Sequence, residues 1–103
     1  MPVAQIPKGY HAVTPYLCVQ GAGTLIDFVK RAFAATEREM MKRPDGTIGH
    51  AEVQIGDSIV MISEARGEHK PMPSALYVYV TDTDATYRRA LQAGATSLIE
   101  RSG

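Results

Sequence analysis

The stretch IGHAEVQIGDSIVMIS, residues 48–63, contains two β-strand patterns separated by Gly56 and Asp57. A Gly-X pair between two such strands is typical of a two-residue hairpin loop. A loop of this length fixes which residues face each other across the hairpin. The predicted pairs are Ile55–Ser58, Gln54–Ile59, Val53–Val60, Glu52–Met61, Ala51–Ile62 and His50–Ser63.

This register divides the side chains of the hairpin between two faces of different character. One face is wholly apolar and is the expected seat of an amphipathic helix. It carries Ala51, Val53, Ile55, Val60 and Ile62. The other face is mixed, and it carries His50, Glu52, Gln54, Met61 and Ser63. A half-apolar surface with a few convergent polar groups is the usual character of a ligand site.

The sequence predicts further strands and helices on both sides of the hairpin. Before it, the sequence predicts a strand at 14–20, a helix capped by Thr24 and Asp27 at 24–35, and a strand at 36–43. After it, the sequence predicts a strand at 74–81, a helix at 82–94 bounded by Asp82 and Gly94, and the start of a strand at 95–100. The order is βαβββ followed by βαβ, which is a partial internal repeat.

The composition excludes several classes of function. The chain has 103 residues, which favours a single domain. Eleven basic and eleven acidic residues cancel, and neither sign forms a block, so no nucleic-acid partner is expected. The single cysteine, Cys18, cannot form an intramolecular disulfide and is expected to be a buried structural thiol. Neither a membrane-helix pattern nor a secretory-signal pattern occurs, so we expect a cytoplasmic protein with no membrane partner.

Three segments follow one another in a recognisable order. They are TPYLCVQGAGTLIDFVKRAFAA at 14–35, DGTIGHAEVQIGDSIVMISEA at 45–65 and LYVYVTDTDATYRRALQAGAT at 76–96. In this order and spacing, the segments resemble the PhnB-like branch of the vicinal oxygen chelate superfamily, which includes glyoxalases, bleomycin-resistance proteins and dioxygenases. The resemblance covers roughly residues 11–97, which is most of the chain.

The resemblance implies an α+β fold of paired βαβββ modules, in which a mixed sheet forms a cup with helices on its convex face. Residues 1–103 would form one domain, with the first module at 14–65 and an incomplete, truncated second module at 74–103. A truncated second module leaves an exposed sheet edge. We therefore expect a homodimer, with or without strand exchange between its subunits.

Metal binding of the usual superfamily type is not expected. Metal-dependent relatives imply ligands at positions that fall here near Thr14, near Met61 or Ser63, and near Ala75. None of these side chains is a good ligand for a divalent metal. His50 and Glu52 supply two ligands on one strand, but two ligands without a third do not make a site. We predict no metal and no other cofactor, and a divalent metal is the less favoured alternative.

The cup is expected to bind a small organic molecule without a metal. The predicted ligand-binding residues are Thr14, Tyr16, His50, Glu52, Met61, Tyr77 and Tyr79. No catalytic residue is identified, and the polar pair of His50 and Glu52 is also compatible with a cross-strand hydrogen-bond network that includes Ser63. Two other functions stay open. One is a metal-dependent lyase, isomerase or dioxygenase of the same superfamily, and the other is a truncated protein whose role is assembly.

Overall fold

A four-stranded sheet and two helices make up the computed structural model, which describes residues 6–98. The elements in chain order are β1 (Tyr16–Val19), α1 (Ala22–Phe33), β2 (Thr36–Lys42), β3 (Ile48–Ile55), β4 (Ser58–Glu64) and α2 (Thr83–Gln92). The strand order in the sheet is β1-β4-β3-β2, with β1 parallel to β4 and the other neighbours antiparallel. The fold is α+β, as predicted, and its first part is a complete βαβββ module.

The hairpin of β3 and β4 has the predicted register. Its ladder runs from the pair Ile55–Ser58 at the loop to the pair Ala51–Ile62. Gly56 has a φ of 58°, a left-handed conformation that glycine adopts without strain. The predicted apolar face is the centre of the core, where Ala51, Val53, Ile55, Val60 and Ile62 pack with Ala22, Ile26 and Val29 of α1.

Helix α1 begins two residues before its predicted start. The carboxylate of Glu64, at the end of β4, accepts hydrogen bonds from the backbone N–H groups of Gly21 at 2.9 Å and Ala22 at 2.8 Å. These groups lie at the helix N-terminus, where backbone donors lack partners within the helix. The predicted capping by Thr24 was therefore wrong. A side chain from a distant strand caps the helix, and local sequence patterns do not reveal such a contact.

The predicted strand at 74–81 was also wrong, because these residues form no strand. In the first module, β1 obtains its backbone partners from β4, the last strand of the same module. Among residues 6–98 there is no equivalent last strand of a second module, so the segment 74–81 has no ladder to join. It lies irregularly against the first module, where Val78 packs on the core.

Helix α2 matches its prediction. The side chain of Asp82 accepts a hydrogen bond from the N–H of Ala85 at 3.0 Å, as an N-cap residue does. Arg89 donates through Nε to the carbonyl of Ala32 at 3.3 Å, which links α2 to α1. Of the predicted last strand, residues 95–98 are irregular and 99–100 lie outside the described residues. In the described part of the chain, no helix is long and apolar enough to cross a membrane.

Candidate functional site

The strand side chains opposite α1 form a second surface of the sheet, which we call the polar face. Successive residues of a strand point to opposite sides of a sheet. Since the apolar face packs on α1, the alternate residues face away from the helix. The polar face consists of Tyr16, Cys18, Glu39, Met41, His50, Glu52, Gln54, Met61 and Ser63.

Glu52 lies at the centre of the polar face and is 5% exposed. Its Oε1 accepts a hydrogen bond from the hydroxyl of Tyr10, and its Oε2 lies 2.8 Å from Nε2 of His50. The bond from Tyr10, followed by that from His50, holds the pKa of Glu52 below its usual range despite burial. The same carboxylate raises the pKa of Tyr10. The site therefore contains a buried carboxylate that stays ionised.

Tyr10 was not among the predicted site residues. It belongs to the segment before β1, which has no regular secondary structure. The neighbouring His11 lies over the hairpin loop, with Nδ1 3.4 Å from the hydroxyl of Ser58 and Nε2 3.9 Å from the carboxylate of Asp57. Strand periodicity carries no information about such a segment, so no sequence signal places Tyr10 on Glu52.

Glu39 of β2 is the second residue that the sequence analysis missed, and two register shifts bring it into the site. A continuous ladder from the hydrogen bond between Arg43 and Thr47 would place Arg38 opposite Glu52. The ladder instead passes from the pair Lys42–Ile48 to the pair Met41–His50, so that Gly49 is an extra residue in β3. Glu39 consequently lies opposite Glu52. A second shift leaves Arg38 as the extra residue of β2.

Three possible metal ligands now lie together. One carboxylate oxygen of Glu39, one ring nitrogen of His50 and one carboxylate oxygen of Glu52 all lie within 4.8 Å of one another. The prediction that His50 and Glu52 hold no metal relied on finding two ligands without a third. Glu39 supplies the third, so that reason no longer holds.

The positions implied for the usual superfamily metal do not fit a divalent ion. They carry a hydroxyl at Thr14 and Ser63, a thioether at Met61 and a methyl group at Ala75. Hard or borderline divalent ions prefer carboxylate and imidazole ligands. The group formed by Glu39, His50 and Glu52 lies on the neighbouring strands β2 and β3, where Glu52 faces Met61 of β4.

A cavity of about 540 Å³ adjoins the polar face at β1 and β4. Tyr16 lines this cavity, and its ring centroid lies 6.2 Å from that of His50, the residue that contacts the buried carboxylate of Glu52. Cys18 is buried, and its Sγ lies 3.6 Å from the carbonyl oxygen of His69. The cavity is lined by Tyr16, Cys18, Arg43, Gly49, Ser63, Glu68, His69, Lys70 and Met72.

Four of the seven predicted ligand-binding residues share the polar face. Tyr16 and Met61 are partners in the β1–β4 ladder, and Glu52 faces Met61 across the hairpin. His50 lies beside Glu52 on the same strand. Thr14 is half-buried in the segment that leads into β1.

Tyr77 and Tyr79 lie elsewhere. Their predicted place on the polar face depended on the strand at 74–81, which does not form. They are 86% and 89% exposed, and their ring centroids are 5.3 Å apart. They line a separate cavity of about 610 Å³, which also touches Phe33, Ile55 and Thr86.

Two uncharacterised mycobacterial proteins are similar to the chain in sequence. Mb0911c of Mycobacterium bovis and Rv0887c of Mycobacterium tuberculosis are each 36% identical to it over 96 residues. The match covers 82% of this chain, 63% of the first protein and 56% of the second. The chain thus spans less than two thirds of the length of these relatives. No family model matches it.

Two solved structures are similar to the chain in fold. TioX from Micromonospora sp. ML1 has a TM-score of 0.60 and 22% identity, over 82% of this chain and 73% of TioX. An Arabidopsis thaliana gene product has a TM-score of 0.62 and 19% identity, over 85% of this chain and 75% of that protein. The chain has a related fold. Its α+β architecture is compatible with the glyoxalase/bleomycin-resistance-like fold, in which the βαβββ unit at 16–64 is one module.

Proposed function

We propose that the chain binds a small organic molecule on the polar face of its sheet. One observation carries this proposal: the ionised, buried carboxylate of Glu52 contacts His50, and the ring of His50 lies 6.2 Å from that of Tyr16, which is half-exposed and lines an open cavity. Burying a charge costs free energy even when the charge is paired, and an apolar replacement is often no less stable. A binding role gives a reason for keeping the carboxylate there.

The groups on the polar face favour a flat, partly polar ligand. Tyr16 offers an aromatic surface that is 52% exposed. His50 turns Nε2 toward Glu52, so its other ring nitrogen, Nδ1, is the one placed to meet a ligand. Arg43 and Lys70 line the cavity and would favour a ligand with a negatively charged or strongly hydrogen-bonding edge. Direct contacts of this kind need no metal.

Native mass spectrometry followed by ligand titration tests this proposal. We expect the purified chain to carry an extra small-molecule mass, or to bind members of a library of aromatic acids detected by ligand-observed NMR. Tyr16→Ala and His50→Ala should each weaken binding of the hit by about tenfold, which corresponds to about 1.4 kcal/mol.

The variant Tyr77→Ala with Tyr79→Ala is the matched control, because these tyrosines line the other cavity. It should leave binding of the hit unchanged. If the control abolished binding and the polar-face variants did not, the ligand would occupy the cavity beside Tyr77, and the proposal would be wrong.

A metal-dependent lyase, isomerase or dioxygenase is the second candidate. The observation in its favour is the third ligand residue, Glu39, beside His50 and Glu52. Such an enzyme would use a metal ion to polarise substrate oxygens. Its first requirement is therefore that this group of residues binds a metal.

A further inference from the structure

We propose that Glu39, His50 and Glu52 form a binding site for a divalent transition-metal ion of the zinc class. The ligand atoms of the three residues lie within 4.8 Å of one another. Bonds from zinc to imidazole nitrogen and carboxylate oxygen are about 2.0–2.2 Å long, so ligand atoms on one ion lie about 4 Å apart or less. Glu39 is exposed, so its side chain has room to rotate and bring its carboxylate closer to His50 and Glu52.

The two neighbouring carboxylates of the site, Glu39 and Glu52, favour the binding of a cation. Glu39 lies directly opposite Glu52 in the β2–β3 ladder, and like charges in this position destabilise a sheet. Arg38, which a continuous ladder would place there, donates from Nη1 to Oε1 of Gln54 at 2.7 Å instead. Within residues 6–98, the carboxylate of Glu39 makes no hydrogen bond and no ion pair. A divalent ion would neutralise both carboxylates at once.

The surroundings of Glu52 hold it in an orientation that suits a ligand. The hydroxyl of Tyr10 occupies Oε1, which leaves Oε2 directed toward His50 and the rest of the group. Such outer contacts orient the ligands of metal sites and raise metal affinity. His50 is itself flanked by the ring of Tyr16.

The chemical types of the three ligands indicate which class of metal ion the site would bind. Two carboxylates and one imidazole suit zinc and its first-row neighbours, whereas magnesium prefers oxygen ligands and retains its water. Three protein ligands leave at least one coordination position open. The ring of His50 lies 6.2 Å from that of Tyr16, which lines the cavity, so a small molecule on the polar face could complete the coordination shell.

Isothermal titration of the chelator-stripped full chain with zinc chloride tests the site without any organic ligand. We expect one equivalent of zinc to bind, and magnesium chloride to produce no comparable binding. Glu39→Gln should weaken zinc binding at least tenfold, since even the loss of an outer-shell partner costs ten- to a hundredfold in affinity. Glu39 is exposed, so its replacement should not unfold the chain.

Glu37→Gln is the matched control, because it removes the same charge from the same strand at a residue that pairs with Lys30 of α1. It should bind zinc like the parent chain. Equal affinity of the parent and Glu39→Gln, or no zinc binding by the parent, would overturn the proposal. Failure of the organic-ligand test would leave this result untouched, because the two experiments share no ligand.

The absorption spectrum of the cobalt-loaded chain identifies the ligands by a second route. We expect ligand-field bands without an intense thiolate-to-cobalt charge-transfer band. That band would place the ion on Cys18, near His69, and would assign the titration to a different site.

Discussion

At the scale of single residues, the hydroxyl of Tyr10 is the contact whose removal is the most informative. It donates to the buried carboxylate of Glu52. Tyr10→Phe deletes this donor and leaves the ring in place. Hydrogen bonds to charged groups are stronger than those between neutral groups, so Tyr10→Phe should lower the free energy of unfolding, by less than the loss of a fully buried donor because Tyr10 is half-exposed. Urea unfolding of the metal-free chain at neutral pH measures the loss.

Tyr16→Phe is the control for that measurement, because the hydroxyl of Tyr16 has no hydrogen-bond partner among residues 6–98. It should leave the unfolding midpoint unchanged. Equal midpoints for Tyr10→Phe and the parent chain would mean that the segment before β1 does not hold Glu52 in solution.

The residues that matter on the polar face were predictable only in part. His50 and Glu52 followed from strand alternation and a loop of known length, and both are where that reasoning places them. Glu39 was not predictable, because the extra residue Gly49 moves β2 by one position and exchanges Arg38 for Glu39 opposite Glu52. A β-bulge of this kind has no reliable local signature.

At the scale of elements, the cap of α1 by Glu64 makes stability depend on pH. Hydrogen bonds from the N–H groups of Ala22 and Gly21 hold the pKa of Glu64 below its usual range. A carboxyl group with a lowered folded-state pKa stabilises the fold above its unfolded-state pKa, and the contribution disappears as pH falls through the folded-state pKa. Glu64→Gln should therefore be less stable than the parent at pH 7, and the two should converge in acid.

At neutral pH we expect the free energy of unfolding of Glu64→Gln to be lower by about 0.5–2 kcal/mol, which is the usual cost of losing a helix N-cap. Thermal unfolding between neutral and acidic pH measures it. The control is Glu68→Gln, which changes an exposed carboxyl whose side chain has no hydrogen bond or ion pair in the described part of the chain. A difference between the parent and Glu64→Gln that grew in acid would contradict the assigned cap.

Elements defined by local signals were predictable, and an element that needs a distant partner was not. The β3–β4 hairpin contains its loop and its register in one stretch, and α2 contains its own N-cap. The segment 74–81 has strand-forming residues, but a strand is stable only when its backbone groups are paired. The sequence of this segment shows its propensity to form a strand, but whether its backbone groups are paired depends on a neighbouring strand elsewhere in the fold.

At the scale of the whole molecule, the exposed apolar side chains lead us to predict a homodimer. Tyr77 and Tyr79 are more than four-fifths exposed, as are Val13 and Leu98. Val13 and the two tyrosines line the same cavity, whereas monomeric proteins rarely expose large continuous apolar patches. A second copy of the chain would cover this surface. Sedimentation equilibrium should give twice the chain mass, and Tyr77→Glu with Tyr79→Glu should give the mass of one chain because it adds two charges to the interface.

The control for the dimer prediction adds the same two charges elsewhere, through Gln20→Glu with Gln92→Glu at exposed positions. This variant should remain dimeric. A parent chain that sediments as a stable monomer would refute the prediction and would show that Tyr77 and Tyr79 are exposed in solution as well. A dimer that survives both charged tyrosine substitutions would instead place the interface on another surface. The exposed backbone of 74–81 would then be the next region to test, because unpaired backbone groups readily add a strand from another chain.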